Sequence, residues 1–169
     1  MGFDSETAFE SALIKCLVEE KGWKDGVIKY PTEKDLLDNW AKIIFENNRD
    51  IDRLGDFPMT DGEMAQIMGQ IAKLRTPLNL NGFINGGTVQ IIRDNENDTH
   101  NFKKTISLKI FDRNEIAAGR TRYQIAQQPK FKAKNSIYPN RRGDFCLLIN
   151  GMPVIHVELK KSNVPVSEA

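Results

Sequence analysis

Apolar residues recur along this chain at two different periods, and the change of period divides it. Phe9, Ala12, Leu13, Cys16 and Leu17 follow the spacing of one helical face. Ser5 offers an N-cap ahead of Glu6, so a helix is expected from about Ser5 to Lys21, ended by Gly22-Trp23. A short strand is expected around Gly26 to Tyr30. Thr32, with Glu33 and Asp35 in the first turn, opens a second helix through Leu36, Leu37, Trp40, Ile43, Ile44 and Phe45, closed by Asn47-Asn48-Arg49-Asp50. Pro58 to Gly62 reads as a turn capping a third helix from about Asp61 to Leu74, with Met64, Ile67, Met68, Ile71 and Leu74 inward. Thr76-Pro77 stops it.

After Asn79 the helical period gives way to strand-like runs: Thr88 to Arg93, Thr105 to Phe111, Arg122 to Gln128, Asp144 to Ile149 and Pro153 to Leu159. Asn150-Gly151 between the last two is a strong hairpin signal. Asp94 to Asn101 reads as a polar loop. Helices first and antiparallel strands later predict an α+β domain, with the opening helix packed on the sheet. At 169 residues the chain suffices for one domain with its own core.

Composition narrows the setting. A hydrophobic fraction of 40% and a charged fraction of 28% describe a globular protein. No apolar run approaches a membrane span, and the first residues lack the basic and apolar regions of a signal peptide, so a cytoplasmic location is expected. Cys16 and Cys146 stand in separate apolar segments without CxxC spacing and read as reduced core residues.

The net charge of +1 hides an asymmetry. From Ile116 to Gly143 there is no acid, yet Arg120, Arg122, Lys130, Lys132, Lys134, Arg141 and Arg142 are basic, with Tyr123, Phe131 and Tyr138 between them. Such a run is either a sheet edge guarded by charge or a phosphate-binding surface. It leads directly into Asp144, which favours the second.

Several chemistries are absent. There is no GxxxxGK[ST] and no GxGxxG, and Gly82 to Gly87 reads as a turn. Two histidines and no paired cysteines argue against zinc, and no serine nucleophile elbow occurs. Carboxylate–metal chemistry remains. A strand puts alternate side chains on one face, so Glu158 and Lys160 are expected to project together, about 7 Å apart, while Ile155, Val157 and Leu159 point into a core. Asp144 and Glu158 suit Mg²⁺, which takes oxygen ligands and is commonly held by one or two carboxylates with substrate phosphate. Lys160 is placed to orient a water or to stabilise charge on the phosphate.

The stretch Arg141 to Ser162, RRGDFCLLINGMPVIHVELKKS, resembles the nuclease motif of the R subunit of type I restriction enzymes, a PD-(D/E)xK nuclease. The likeness extends through Glu6 to Trp23, Asn48-Arg49-Asp50, Thr76-Pro77, Gly86-Gly87, Arg93-Asp94-Asn95, Leu108 to Asp112 and Tyr123-Gln124-Ile125. It implies a restriction-endonuclease-like core with a mixed or antiparallel sheet flanked by N-terminal helices. The activity implied is Mg²⁺-dependent cleavage of double-stranded DNA inside an ATP-driven translocase, in complex with modification and specificity subunits. By motif matching Asp144, Glu158 and Lys160 take the catalytic positions, the two carboxylates holding the metal.

The resemblance also implies an acid on the first helix beside this triad. Glu10 is preferred and Glu6 is the alternative. His156 shares the Glu158 face and either approaches the site or is a satisfied sheet histidine. Gln124, Gln127 and Gln128 either contact DNA or decorate an outward face. Arg120, Arg122, Arg141, Arg142 and Lys161 are candidate DNA contacts. The family pattern continues past the lysine into a helix with Gln and Tyr and then motor domains, which predicts that residues 1–169 are the N-terminal endonuclease part of a larger subunit. ATP would then be bound only by that larger protein. The alternatives are a non-catalytic DNA-docking module of the same fold and a stand-alone repair-type nuclease.

Overall fold

The computed structural model describes residues 5–112, 114, 120–132 and 141–159. These form two compact units, one from residues up to Leu36 together with Arg122 onward, the other from Leu37 to Thr121.

The first unit is built on a four-stranded mixed sheet. Its strands are β1 (Val27–Lys29), β4 (Tyr123–Gln127), β7 (Phe145–Ile149) and β8 (Met152–Val157), in the order β1-β4-β7-β8. The β1 strand runs parallel to β4, and the other pairings are antiparallel. The central run Phe145-Cys146-Leu147-Leu148 is buried at every position, because both faces of the sheet are covered. On one face Phe145, Leu147 and Ile125 meet Ile14, with Leu13, Leu17 and Val18 of helix α1 (Glu6–Glu20) packed around them. On the other, Cys146, Leu148 and Ala126 meet Leu36 in the first turn of α2 (Glu33–Asn47). Ser5 caps α1 by accepting the Ala8 N–H at 3.1 Å. Gly22, at φ +81°, turns the chain so that the Trp23 N–H closes on the Leu17 carbonyl.

The β7–β8 hairpin turns through Asn150 (φ 50°) and Gly151 (φ 84°), the left-handed pair that a two-residue turn of this kind requires. The ladder then slips: Leu148 pairs Pro153, but Leu147 pairs Ile155, so Val154 is an extra residue in a β-bulge. The strand ends at Val157, two residues short of the expected Leu159. Ile155 corrects a further expectation. Val157 and Leu159 pack on the α1 layer, whereas Ile155, beside the bulge on this edge strand, keeps 50% of its surface exposed.

A second, two-stranded pairing joins β5 (Lys130–Phe131) to β6 (Arg141–Arg142). Both short strands fall in the later part of the basic run, past the strand expected from Arg122 to Gln128.

The second unit holds the rest of α2, α3 (Asp61–Ile71), α4 (Pro77–Ile84) and an antiparallel pair, β2 (Thr88–Ile92) with β3 (Thr105–Lys109). Thr60 and Glu63 form a reciprocal capping box on α3. The α4 helix overturns the reading of Thr76-Pro77 as the stop of α3, which already ends at Ile71, and of Gly82 to Gly87 as a turn. Thr76 caps the helix through the Asn79 N–H at 3.2 Å, and Pro77 stands in the first turn, where its missing N–H costs nothing. Only Asn85 and Gly86 form the turn that follows it.

Arg93 organises the segment expected to be a plain polar loop. Its side chain is fully buried, donating to Glu63 at 2.7 and 2.8 Å, to Asp98 at 2.9 Å and to the carbonyl of Phe57 at 2.7 Å. Burial would raise the Asp98 carboxyl, but the Arg93 bond and the Asn101 N–H outweigh it and hold that carboxyl below its ordinary range. No helix among the described residues is long and apolar enough to cross a membrane.

Candidate functional site

The β7–β8 register positions the acids. Phe145 pairs Val157, so one step further out Asp144 stands opposite Glu158 across the end of the ladder. A side-chain oxygen of Asp144 accepts the main-chain N–H of Leu159, which fixes the start of β7 to the residue after Glu158. The bulge at Val154 makes this pairing possible. A ladder without it would set Asp144 against Val157 and turn Glu158 to the other side.

Strand alternation puts Glu158 on the side of His156, and Cys146 is the direct partner of His156. Nε2 of His156 lies 3.4 Å from Oε2 of Glu158. The Cys146 thiol is pushed up first by burial and then by the Glu158 charge. Gly143 completes this corner: a Cβ there would come within 2.5 Å of His156 Nε2. Asp144 is half-buried, while Glu158 and His156 are exposed. The result is an open, acidic edge with one imidazole on it.

Glu10 belongs to a different set of contacts. It is 4% exposed, and a buried carboxylate needs hydrogen bonds to offset its lost hydration. They come from the end of β4. Gln127 Nε2 donates to Oε1 at 2.7 Å, and Gln128 Nε2 donates to both oxygens, at 3.2 and 3.0 Å. Gln128 has a left-handed backbone, φ 51°, and its N–H donates to the Asp144 carbonyl at 2.7 Å. Sequence reasoning took these glutamines for outward or DNA-facing residues. The signal available was a pair of amides where a strand ends before Pro129, behind a helix bearing an acid at its inner edge.

The other expected residues are placed as follows. Glu6 is exposed in the first turn of α1, and Arg120 is exposed. Arg122 is half-buried, its main-chain N–H donating to Asn150 Oδ1 at 2.9 Å. Gln124 is buried, only 8% exposed, which corrects its expected outward display. Arg141 and Arg142 form β6. Lys160 and Lys161 lie outside the described residues. Among the described residues no group of three or more His, Cys, Asp or Glu side chains is gathered to hold a metal ion. Asp144 and Glu158 are brought to one ladder end, and Glu10 is held by amides instead.

The family model of the type I restriction enzyme R protein N terminus matches residues 4–169. The chain belongs to that family. It is 28% identical over 173 residues to the endonuclease subunit of a type I restriction enzyme of Staphylococcus saprophyticus. It is also 28% identical over 171 residues to one from Staphylococcus aureus strain COL. Each comparison covers all of this chain and 16% of the relative, so this R-protein N-terminal chain spans about a sixth of those proteins. Its α+β architecture with a mixed sheet is broadly compatible with a restriction-endonuclease-like core.

Proposed function

We propose that this chain is a Mg²⁺-dependent endonuclease domain of a type I restriction enzyme R subunit. It would cleave phosphodiester bonds of double-stranded DNA after ATP-driven translocation by motor domains that are not part of residues 1–169. The observation that carries the reading is the opposition of Asp144 and Glu158 across the end of the β7–β8 ladder, in a chain matching the R-protein N-terminal family over residues 4–169.

The donor chemistry suits the metal. Two carboxylates on one open edge meet the needs of an ion that takes only oxygen and leaves positions for water and phosphate. When bound, Mg²⁺ supplies Lewis acidity and a more acidic water. Asp144 is held by the Leu159 N–H for that task, and Glu158 follows the last ladder pair. To Lys160 we assign the orientation of the attacking water or the stabilisation of charge on the phosphate. The modification and specificity subunits are the proposed partners, and the basic residues of the 116–143 run are the proposed DNA contacts.

Asp144→Asn, Glu158→Gln and Lys160→Ala, each in the complete restriction complex, are expected to abolish plasmid cleavage and leave ATP hydrolysis intact. Retained cutting by any of them removes that residue from the mechanism, and retained cutting by all three overturns the reading. A second reading, a non-catalytic DNA-docking module, draws on the lack of a three-ligand group among the described residues. It predicts DNA binding that falls steeply with salt and is indifferent to Mg²⁺.

A further inference from the structure

We infer that Gln128 is a positioning residue, fastening Glu10 of α1 to the strand that carries Asp144; the inference rests on the nuclease reading above. Two unrelated bonds meet in this one residue. Its main-chain N–H donates to the Asp144 carbonyl at 2.7 Å. Its side-chain amide donates to both Glu10 oxygens, at 3.2 and 3.0 Å, beside the 2.7 Å bond from Gln127. Gln128 thus bridges an acid on the helix layer and an acid at the sheet end.

The backbone makes glutamine a costly choice here. Gln128 sits at φ 51°, a region that side-chain-bearing residues other than Asn, Asp and His seldom adopt and that glycine takes without strain. A glycine would make the same turn and the same main-chain bond to Asp144. What it would lack is the grip on Glu10. The amide is also committed to one orientation. Its nitrogen faces the carboxylate, and its buried oxygen has no hydrogen-bond partner among the described residues. Turning the amide over would bring that oxygen against Glu10. The buried oxygen is therefore left without a bond so that both carboxylate oxygens of Glu10, a residue only 4% exposed, are held.

The test uses Gln128→Gly in the complete complex, because glycine keeps the left-handed backbone and the bond to Asp144 while removing the amide. Loss of a supporting contact around a metal site typically lowers metal affinity by roughly tenfold or more. Mn²⁺ binding followed by electron paramagnetic resonance is expected to weaken to that extent, the Mg²⁺ midpoint for plasmid cleavage to rise in parallel, and ATP hydrolysis to stay unchanged. Gln128→Asn tolerates the same backbone but cannot reach Glu10, and carries the same expectation should the glycine variant fail to fold. Glu10→Gln added to either variant should cause little further loss. A purely structural role would lower the melting temperature and leave both metal midpoints at the wild-type value, which overturns the inference. If Asp144→Asn, Glu158→Gln and Lys160→Ala all still cut DNA, the nuclease reading itself fails. If Asp144→Asn is inactive while both Gln128 variants bind Mn²⁺ like the wild type, the positioning role alone fails.

Discussion

His156 Nε2 lies 3.4 Å from Glu158 Oε2, in space left open by the missing side chain of Gly143. The two side chains are two residues apart on one strand face, and any Cβ at residue 143 would press on the ring that joins them. The exposed ring can swing away at little cost in stability. Gly143→Ala is therefore expected to change folding free energy by no more than about 0.5 kcal/mol while breaking the His156–Glu158 contact. On the nuclease reading, cleavage should fall by roughly tenfold, equivalent to about 1.4 kcal/mol of barrier. Thermal melting and plasmid cleavage on the same preparation test this; equal loss in both would assign Gly143 to folding instead.

Arg93 is shared between two carboxylates, Glu63 and Asp98, in a cluster all but closed to solvent. Removing one member of a buried ion group leaves an uncompensated charge, at a cost of about 3–5 kcal/mol. Arg93→Met strands Glu63 and Asp98 together, so denaturant unfolding should show a loss of at least that size. A loss below about 1 kcal/mol would mean that water reaches the cluster.

Cys146 reports on Glu158 without any nucleic acid present. Burial and then the Glu158 charge both disfavour the thiolate and raise the thiol above its ordinary value. The thiolate is the reactive form, so native alkylation of Cys146 should be slow at neutral pH and rise only in more alkaline solution. Glu158→Gln removes one of the two causes and should move that rise to lower pH. Mass spectrometry after timed alkylation reads the change, with the half-buried Cys16 as internal comparison. An unaltered profile would place the Glu158 charge too far from the thiol to matter.

What could be read from the residues depended on range. The three long helices declared themselves through apolar spacing, helix starts at Ser5 and Thr32 and the turn from Pro58 to Gly62, all signals contained within one or two turns. The Asn150-Gly151 hairpin was equally local. The α4 helix escaped because Thr76-Pro77 reads as the stop of the helix before it, whereas that helix already ends at Ile71 and Thr76-Pro77 only begins the next. Gln127 and Gln128 escaped for a different reason: a glutamine's partner is decided by what the fold brings to it, here a helix more than 110 residues earlier in the chain. The acids at 144 and 158 were legible as a pair, but the bulge that sets them opposite each other was not. Pro153 signals an edge strand or a bulge, but nothing in Pro153-Val154-Ile155 says which residue is the extra one.

That extra residue loosens a constraint usually taken as rigid. Val154 adds to the number of residues between Asp144 and Glu158 without adding to the ladder, so the count along the chain and the count across the sheet differ by one. A hairpin lacking Val154 would present the same two acids to each other with a shorter spacer. Relatives with different Asp-to-Glu spacings can therefore share one arrangement, and a search that demands a fixed interval would discard them. The pattern that identifies such a hairpin is its ladder, with an allowance of one residue on the outer strand.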